Sequence, residues 1–234
     1  MADGPTPIMF LPGMLNDGAL WGNQIAGLRD CTVPYVADLT RHDNVQDMAA
    51  ATLAAAPGRF ALAALSMGGY VAFEMLRQAP ERITRLALID TRASLDSAEE
   101  ARRREGLIQL AEVGEFKGVT SKLLPTLLDP ANVDDPGLGK VITGMAERVG
   151  KEAFIRQQKA IMSRPDSTPL LAGINVPTVV VCGRNDRLTP VAEHQDMADR
   201  IPGADLVILA QAGHMAPLER PEGVTQALRA WLTG

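Results

Sequence analysis

The sequence predicts an α/β fold: a doubly wound, mostly parallel sheet with helices on both faces, interrupted once by a helical insert. Three observations carry this reading. Short apolar runs alternate with helical stretches at βαβ spacing through the first 90 residues. These runs are apolar throughout rather than alternating in polarity, as strands covered on both faces require. The runs then stop between about residues 94 and 168 and resume at 176–182 and 205–209.

Each element has its own justification. Residues 7–11 form the first strand, and Pro12-Gly13-Met14-Leu15-Asn16-Asp17 the loop that leaves it. A helix over about 20–28 precedes the second strand at 32–36. Asn44 or Asp43 caps a helix that runs through an alanine-rich stretch to Ala56. The third strand, 60–65, turns through Ser66 into a helix that ends before Pro80 and carries Val71, Met75 and Leu76 on one apolar face. The fourth strand, 86–89, ends at Asp90.

Within the insert, 97–111 is charged and amphipathic, 116–128 has a leucine-rich face, and 141–149 with 152–162 read as a helical pair. Pro125, Pro130, Pro136 and Pro165 punctuate these pieces. A helix over about 221–232 closes the chain. As domains, residues 1–91 and 169–234 make the sheet-forming core, and 92–168 a helical cap inserted in it and lying over the sheet's carboxyl edge.

Composition bounds the partners. A chain of 234 residues can bury one substantial core, and 46% hydrophobic with 22% charged residues is ordinary for a globular protein. A net charge of −5 without a basic run argues against nucleic acid or an anionic membrane as partner. No apolar run approaches the ~20 residues of a membrane span, and residues 1–7 do not read as a signal peptide. The cytoplasm is the expected compartment. Cys31 and Cys182 read as buried free thiols. His42, His194 and His214 share no ligand spacing with one another or with the cysteines, so no metal site is expected. Oligomeric state leaves no mark in the sequence.

The chemistry gathers at one edge. In a parallel sheet, the loops that follow the strands all emerge at the carboxyl edge. Ser66 sits there on a sharp strand-to-helix turn, with the small Gly68 and Gly69 beside it. The loop at 183–190 brings Asp186 to the same edge, and the loop at 210–217 brings His214. A serine hydroxyl is a poor nucleophile at neutral pH, so a histidine must take its proton. A buried carboxylate then fixes the histidine tautomer and stabilises the imidazolium. Asp90 competes with Asp186 for that acid role.

The remaining polar candidates have quieter readings. His42 reads as structural or exposed, and His194 as a solvated helix residue. Arg92, Arg184 and Arg187 read as surface salt-bridge partners. Glu219 reads as holding the loop around His214.

These segments resemble the α/β-hydrolase superfamily, in particular its small bacterial carboxylesterase-like members. Leu11-Pro12-Gly13-Met14, the Ser66 turn, residues 183–190 and residues 213–217 carry the resemblance, which covers everything but the insert. It implies a six-stranded sheet that lacks the superfamily's two leading antiparallel strands, with the first strand interior and the second outside it. By analogy the oxyanion hole is the backbone N–H of Met67 plus that of Met14, with Leu15 as the fallback for the second. The chain departs from the pattern at Pro12, where the family often has His, and at Ala64, where it has Gly.

The expected activity is serine-dependent hydrolysis of a small or medium-sized carboxylic ester, with no cofactor. Leu15, Leu124, Leu128, Met145, Leu188 and Met215 are the expected pocket residues; Leu123, Leu127 and Met162 are further candidates, and helix packing is the default for any one of these leucines and methionines of the insert. Two alternatives accompany this reading. One is enol-lactone hydrolysis, C–C bond hydrolysis or cofactor-free perhydrolysis on the same residues. The other is a ligand-binding, receptor-like protein that keeps the triad.

Overall fold

Alternate residues of a strand point to opposite faces, and in this chain each face meets its own helices. The computed structural model describes residues 4–114 and 116–234. In chain order the elements are β1 (Thr6–Leu11), α1 (Gly22–Gly27), β2 (Thr32–Val36), α2 (Val45–Ala55), β3 (Phe60–Leu65), α3 (Met67–Gln78), β4 (Ile83–Ile89), α4 (Ala98–Val113), α5 (Leu124–Leu127), α6 (Pro136–Ser163), β5 (Thr178–Gly183), α7 (Val191–Arg200), β6 (Asp205–Leu209), α8 (Ala216–Glu219) and α9 (Pro221–Thr233).

The six strands pair in parallel in the order β2-β1-β3-β4-β5-β6, so the first strand is interior and the second lies outside it. One apolar layer joins Met9, Leu11, Leu62, Ala64, Leu86 and Leu88 to Met48, Phe73 and Met197 of α2, α3 and α7. The other joins Ile8, Phe10, Ala61, Ala63, Leu65 and Val181 to Trp21, Val224, Leu228 and Trp231 on the side of α1 and α9. β3 is buried at all six positions and β5 likewise, which explains their unbroken apolar character. β2 is exposed at four of its five positions and contains Pro34, tolerable on an edge strand because one side of its ladder is unpaired.

The predicted elements hold with local differences. Asn44, not Asp43, caps α2, its side chain accepting the Asp47 N–H at 2.8 Å. The helix expected at 20–28 is a 3₁₀ turn (Gly18–Trp21) running into the short α1. The helix expected over 116–128 is reduced to a 3₁₀ turn at Ser121–Leu123 and the four-residue α5. Gly118 at φ +57° and Pro125 at the start of α5 explain this, since neither sits within a longer helix. The helical pair is present inside α6, which breaks at Gly150 (φ 78°, ψ 177°). Ser97 starts α4 with a capping box closed by Glu100. No strand falls between β4 and β5 among the described residues. Cys182 is buried and Cys31 half-buried, both as free thiols. Among the described residues, no helix is long and apolar enough to cross a membrane.

Candidate active site

β3 ends at Leu65 and α3 begins at Met67, which leaves Ser66 alone in the turn at φ 52° and ψ −116°. That conformation is strained for a residue with a Cβ and persists only where its surroundings hold it. Here the Ser66 N–H donates to the Ile89 carbonyl at 3.1 Å, and its own carbonyl accepts the Thr91 hydroxyl at 2.8 Å. The two glycines are a matter of space. A Cβ on Gly68 would press into the Leu11 backbone, and one on Gly69 into the Thr91 side chain.

The structure brings Ser66, His214 and Asp186 together. Ser66 Oγ lies 2.9 Å from His214 Nε2, and His214 Nδ1 lies 2.8 Å from Asp186 Oδ2. The remaining capacity of Asp186 is spent locally. Its Oδ1 accepts the Leu188 and Thr189 N–H groups, and its Oδ2 accepts the Thr189 hydroxyl at 2.6 Å. Burial works against ionising Asp186, but the imidazole of His214 and the Thr189 donors outweigh it and bring the carboxyl down to about 2. For His214, burial opposes the charged form, yet the Asp186 carboxylate lifts it above the ordinary histidine value.

Asp90 does not reach His214. Its side chain is wholly buried, with Oδ1 accepting the Gly183 N–H at 2.9 Å and Oδ2 the Ala216 N–H at 3.0 Å. It thereby ties the end of β4 to both loops that carry the other two site residues.

His194 is a correction. It is fully buried rather than solvated, accepting the Thr91 N–H at Nε2 (3.0 Å) with Nδ1 3.2 Å from the Pro190 carbonyl. Burial drives its pKa down to about 4. Its polar neighbours on β4 and its own loop left no trace in the sequence. Asp90, Asp186 and His194 place ligand-type atoms within 4.8 Å of one another. Each of those atoms already holds a hydrogen bond, so the cluster serves the loops and does not fit a metal ion.

Glu219 holds the histidine loop, as expected. Its carboxylate accepts the N–H groups of Gly213 and Met215 and, from the insert, that of Asp129. The His214 N–H in turn donates to the Leu127 carbonyl at 2.8 Å. Gly213 allows this approach, because a Cβ there would strike the backbone of residues 127–129.

The loop after β1 faces the same turn. Among the described residues, the N–H groups of Met14 and Met67 have no hydrogen-bond partner. The Leu15 N–H, the fallback for the oxyanion hole, is already spent on Gln157 Oε1 at 3.0 Å. Leu15 itself has φ +59°.

A cavity of about 380 Å³ opens over Ser66 and His214, and of the expected pocket residues Leu15, Leu188 and Met215 line it, beside Met14. Leu124, Leu128 and Met145 do not. They are buried in the apolar layer that also holds Ile142 and Ala212. Leu123 and Leu127, the further candidates, reach the cavity instead, together with Ile142. In an insert, hydrophobic periodicity marks a buried stripe without saying whether sheet or cavity lies beneath it.

Arg92 is a second correction. It is 6% exposed and lines the cavity, bound to Asp96 at 2.7 Å, Glu100 at 2.9 Å and Glu193 at 3.4 Å. Arg184 and Arg187 stay exposed, Arg187 donating to the Pro125 carbonyl. His42 is half-buried and lies outside the cavity lining. Sequence reading missed Tyr70, Thr91, Gln157 and Gln158, whose residue types on helices or after a strand carry no signal of a site.

The model of the alpha/beta hydrolase family matches residues 8–227. The chain belongs to this family. Its structure is similar to that of a thermophilic esterase from Thermogutta terrifontis, with TM-score 0.87, 30% identity, and 98% of this chain and 90% of that chain covered. An enol-lactonase from Burkholderia xenovorans LB400 shares the fold at TM-score 0.87 and 23% identity, over 100% of this chain and 93% of that one. By sequence, the pimeloyl-[acyl-carrier protein] methyl ester esterase of Neisseria meningitidis is 27% identical over 176 residues, 72% of this chain and 68% of that protein.

Proposed function

We propose that this member of the alpha/beta hydrolase family is a serine esterase cleaving a carboxylic ester of a small or medium-sized molecule through an acyl-enzyme. The observation that carries the reading is the unbroken hydrogen-bonded line from Ser66 Oγ through His214 to Asp186, built on a strained turn at the cavity floor. Ser66 Oγ attacks the ester carbonyl carbon as His214 Nε2 takes its proton. Asp186 keeps the Nδ1–H tautomer and stabilises the imidazolium. The N–H groups of Met14 and Met67 receive the oxyanion. His214 then hands the proton to the departing alkoxide, and a water activated by the same nitrogen releases the acid and restores Ser66.

The esterase names borne by the relatives from Thermogutta terrifontis and Neisseria meningitidis support ester hydrolysis without fixing the ester. Residues 92–168 act as the cap that selects the substrate, since they supply the upper wall of the cavity. A fluorophosphonate probe should label the wild-type chain covalently and leave Ser66→Ala unlabelled. Labelling that survives the substitution removes Ser66 from the mechanism.

A further inference from the structure

The cavity wall opposite the sheet edge is largely apolar, yet it carries polar side chains with hydrogen-bond donors that the protein leaves unmatched. Phe154, Gln158 and Ile161 fall on one face of α6 and line the cavity. Gln158 is fully buried, and its Oε1 accepts from Arg104 Nη1 at 2.9 Å. A guanidinium has only donors to offer, so this bond fixes the amide orientation and leaves Nε2 turned elsewhere. Gln158 Nε2 has no partner, and neither has the buried Nε of Arg92 on the same wall. Buried donors are almost always paired, so two unpaired ones at one cavity call for an outside acceptor.

Charge points the same way. In and behind the wall, Arg92, Arg104 and Arg164 are matched by Asp96, Glu100 and Glu193, three cations against three acids. Two further cations, Arg103 and Lys117, line the cavity from its exposed side. Among the described residues, no carboxylate lies within salt-bridge distance of either. The cavity therefore combines an apolar floor, unmatched donors and a positive excess.

We propose that this wall is a carboxylate-binding subsite centred on Gln158 and Arg92, with Arg103 and Lys117 at its entrance, so that the ester cleaved at Ser66 also carries a free carboxylate. A carboxylate offers only acceptors and bears the compensating charge, whereas a neutral carbonyl would satisfy the donors and leave the excess charge unmet. The inference deepens the esterase reading and rests on it for the word ester. The subsite itself is testable without turnover.

Two measurements separate the two claims. The first compares kcat/KM for monomethyl hexanedioate, which keeps one carboxylate, with that for methyl hexanoate. The expected preference is tenfold or more for the charged ester at low salt, shrinking as salt rises. Gln158→Glu retains an oxygen for Arg104 but replaces the free donor by an acceptor, and should bring the ratio to about one. Arg103→Ser combined with Lys117→Ser should lower the ratio and flatten its salt dependence. A wild-type ratio near one, or a ratio that survives Gln158→Glu, overturns the subsite while leaving the esterase reading intact. The second measures binding of hexanedioate to Ser66→Ala by calorimetry. Binding that Gln158→Glu abolishes upholds the subsite even if no ester is turned over. No binding at millimolar hexanedioate overturns it.

Discussion

At the carboxyl edge of the sheet, buried polar side chains are fixed chiefly by main-chain groups; in the helical insert they are fixed chiefly by one another. Asp186 is held by the N–H groups of Leu188 and Thr189, Asp90 by those of Gly183 and Ala216, His194 by that of Thr91, and Glu219 by those of Gly213 and Met215. Across the cavity, Asp96 binds Arg92, Arg104 and Arg164, and Gln158 binds Arg104. Burial resists ionisation of Asp96, but its arginines hold it well below the usual carboxylate range. A main-chain anchor stays where the fold puts it, whatever the neighbouring side chains become. A side-chain pair can be exchanged whole, so specificity can drift in the insert while the chemistry below stays put.

The sharpest way to break this comparison is to pit the two aspartates of the edge against each other. Asp186→Asn keeps the shape and the backbone anchors but stabilises the wrong tautomer of His214, which in a serine protease costs about 10⁴ in kcat. We expect a loss of that order with little change in melting temperature. Asp90→Asn instead turns an amide N–H toward a backbone donor, at Gly183 or at Ala216. It should cost about 1–3 kcal/mol of stability and no more than about tenfold in kcat. The reverse outcome, a stable but inactive Asp90→Asn, would make Asp90 the acid. Activity and thermal melts on both variants decide it.

The same contrast explains what the sequence revealed. The strands and the three residues at the edge were legible because each sits on a short, locally coded feature, whereas the place of β1 inside the sheet and of β2 outside it came only from the family resemblance. Ser66 has Gly68 and Gly69 beside it because Cβ atoms there would meet Leu11 and Thr91. Asp186 precedes Thr189, which binds it back. His214 follows Gly213, which lets the loop press against residues 127–129. The insert offered no such code. Leu124 and Leu128 look like Leu123 and Leu127 to any periodicity argument, and only their packing separates them. Gln157 and Gln158 look solvated because polar residues on a helix normally are, and Arg92 because a charged residue in a loop normally is. His194 misled for the same reason.

A second prediction uses His194 to test how firmly the main-chain anchoring holds. Its folded pKa of about 4 lies below the ordinary histidine value of about 6.5, so the unfolded chain binds the extra proton first as pH falls. Stability therefore rises with pH between about 4 and 6.5, and acidification through that window removes at most about 3 kcal/mol. His214 works with the opposite sign and in a different window. Its raised folded pKa adds stability that is complete below about 6.5 and lost as pH rises through the folded value. His194→Gln keeps an acceptor for the Thr91 N–H and does not titrate. Its melting temperature should change less than wild type between pH 6.5 and 4.5. Parallel curves for the two proteins would show that His194 is not the group responsible.

The smallest effect comes from the residue that joins the two regions. Gln157 lies in α6, fully buried, and reaches out of the insert to two main-chain groups of the core. Its Oε1 accepts the Leu15 N–H at 3.0 Å and its Nε2 donates to the Leu39 carbonyl at 3.1 Å. Leu15 holds a positive φ that a leucine adopts only under constraint, and the residue just before it, Met14, presents its free N–H. Gln157 therefore acts as a positioning residue for the loop that receives the oxyanion, without touching substrate. Losing an oxyanion donor outright costs about 10²–10³ in kcat, and loosening one costs less. Gln157→Leu should lower kcat by roughly tenfold, because the strained turn relaxes and the donor wanders. KM should barely move, since the Michaelis complex draws little on that donor. A boronic acid that mimics the tetrahedral intermediate should lose affinity in step with kcat. If KM rises while kcat and boronate affinity hold, Gln157 shapes the cavity alone and the insert has no hand in the oxyanion loop.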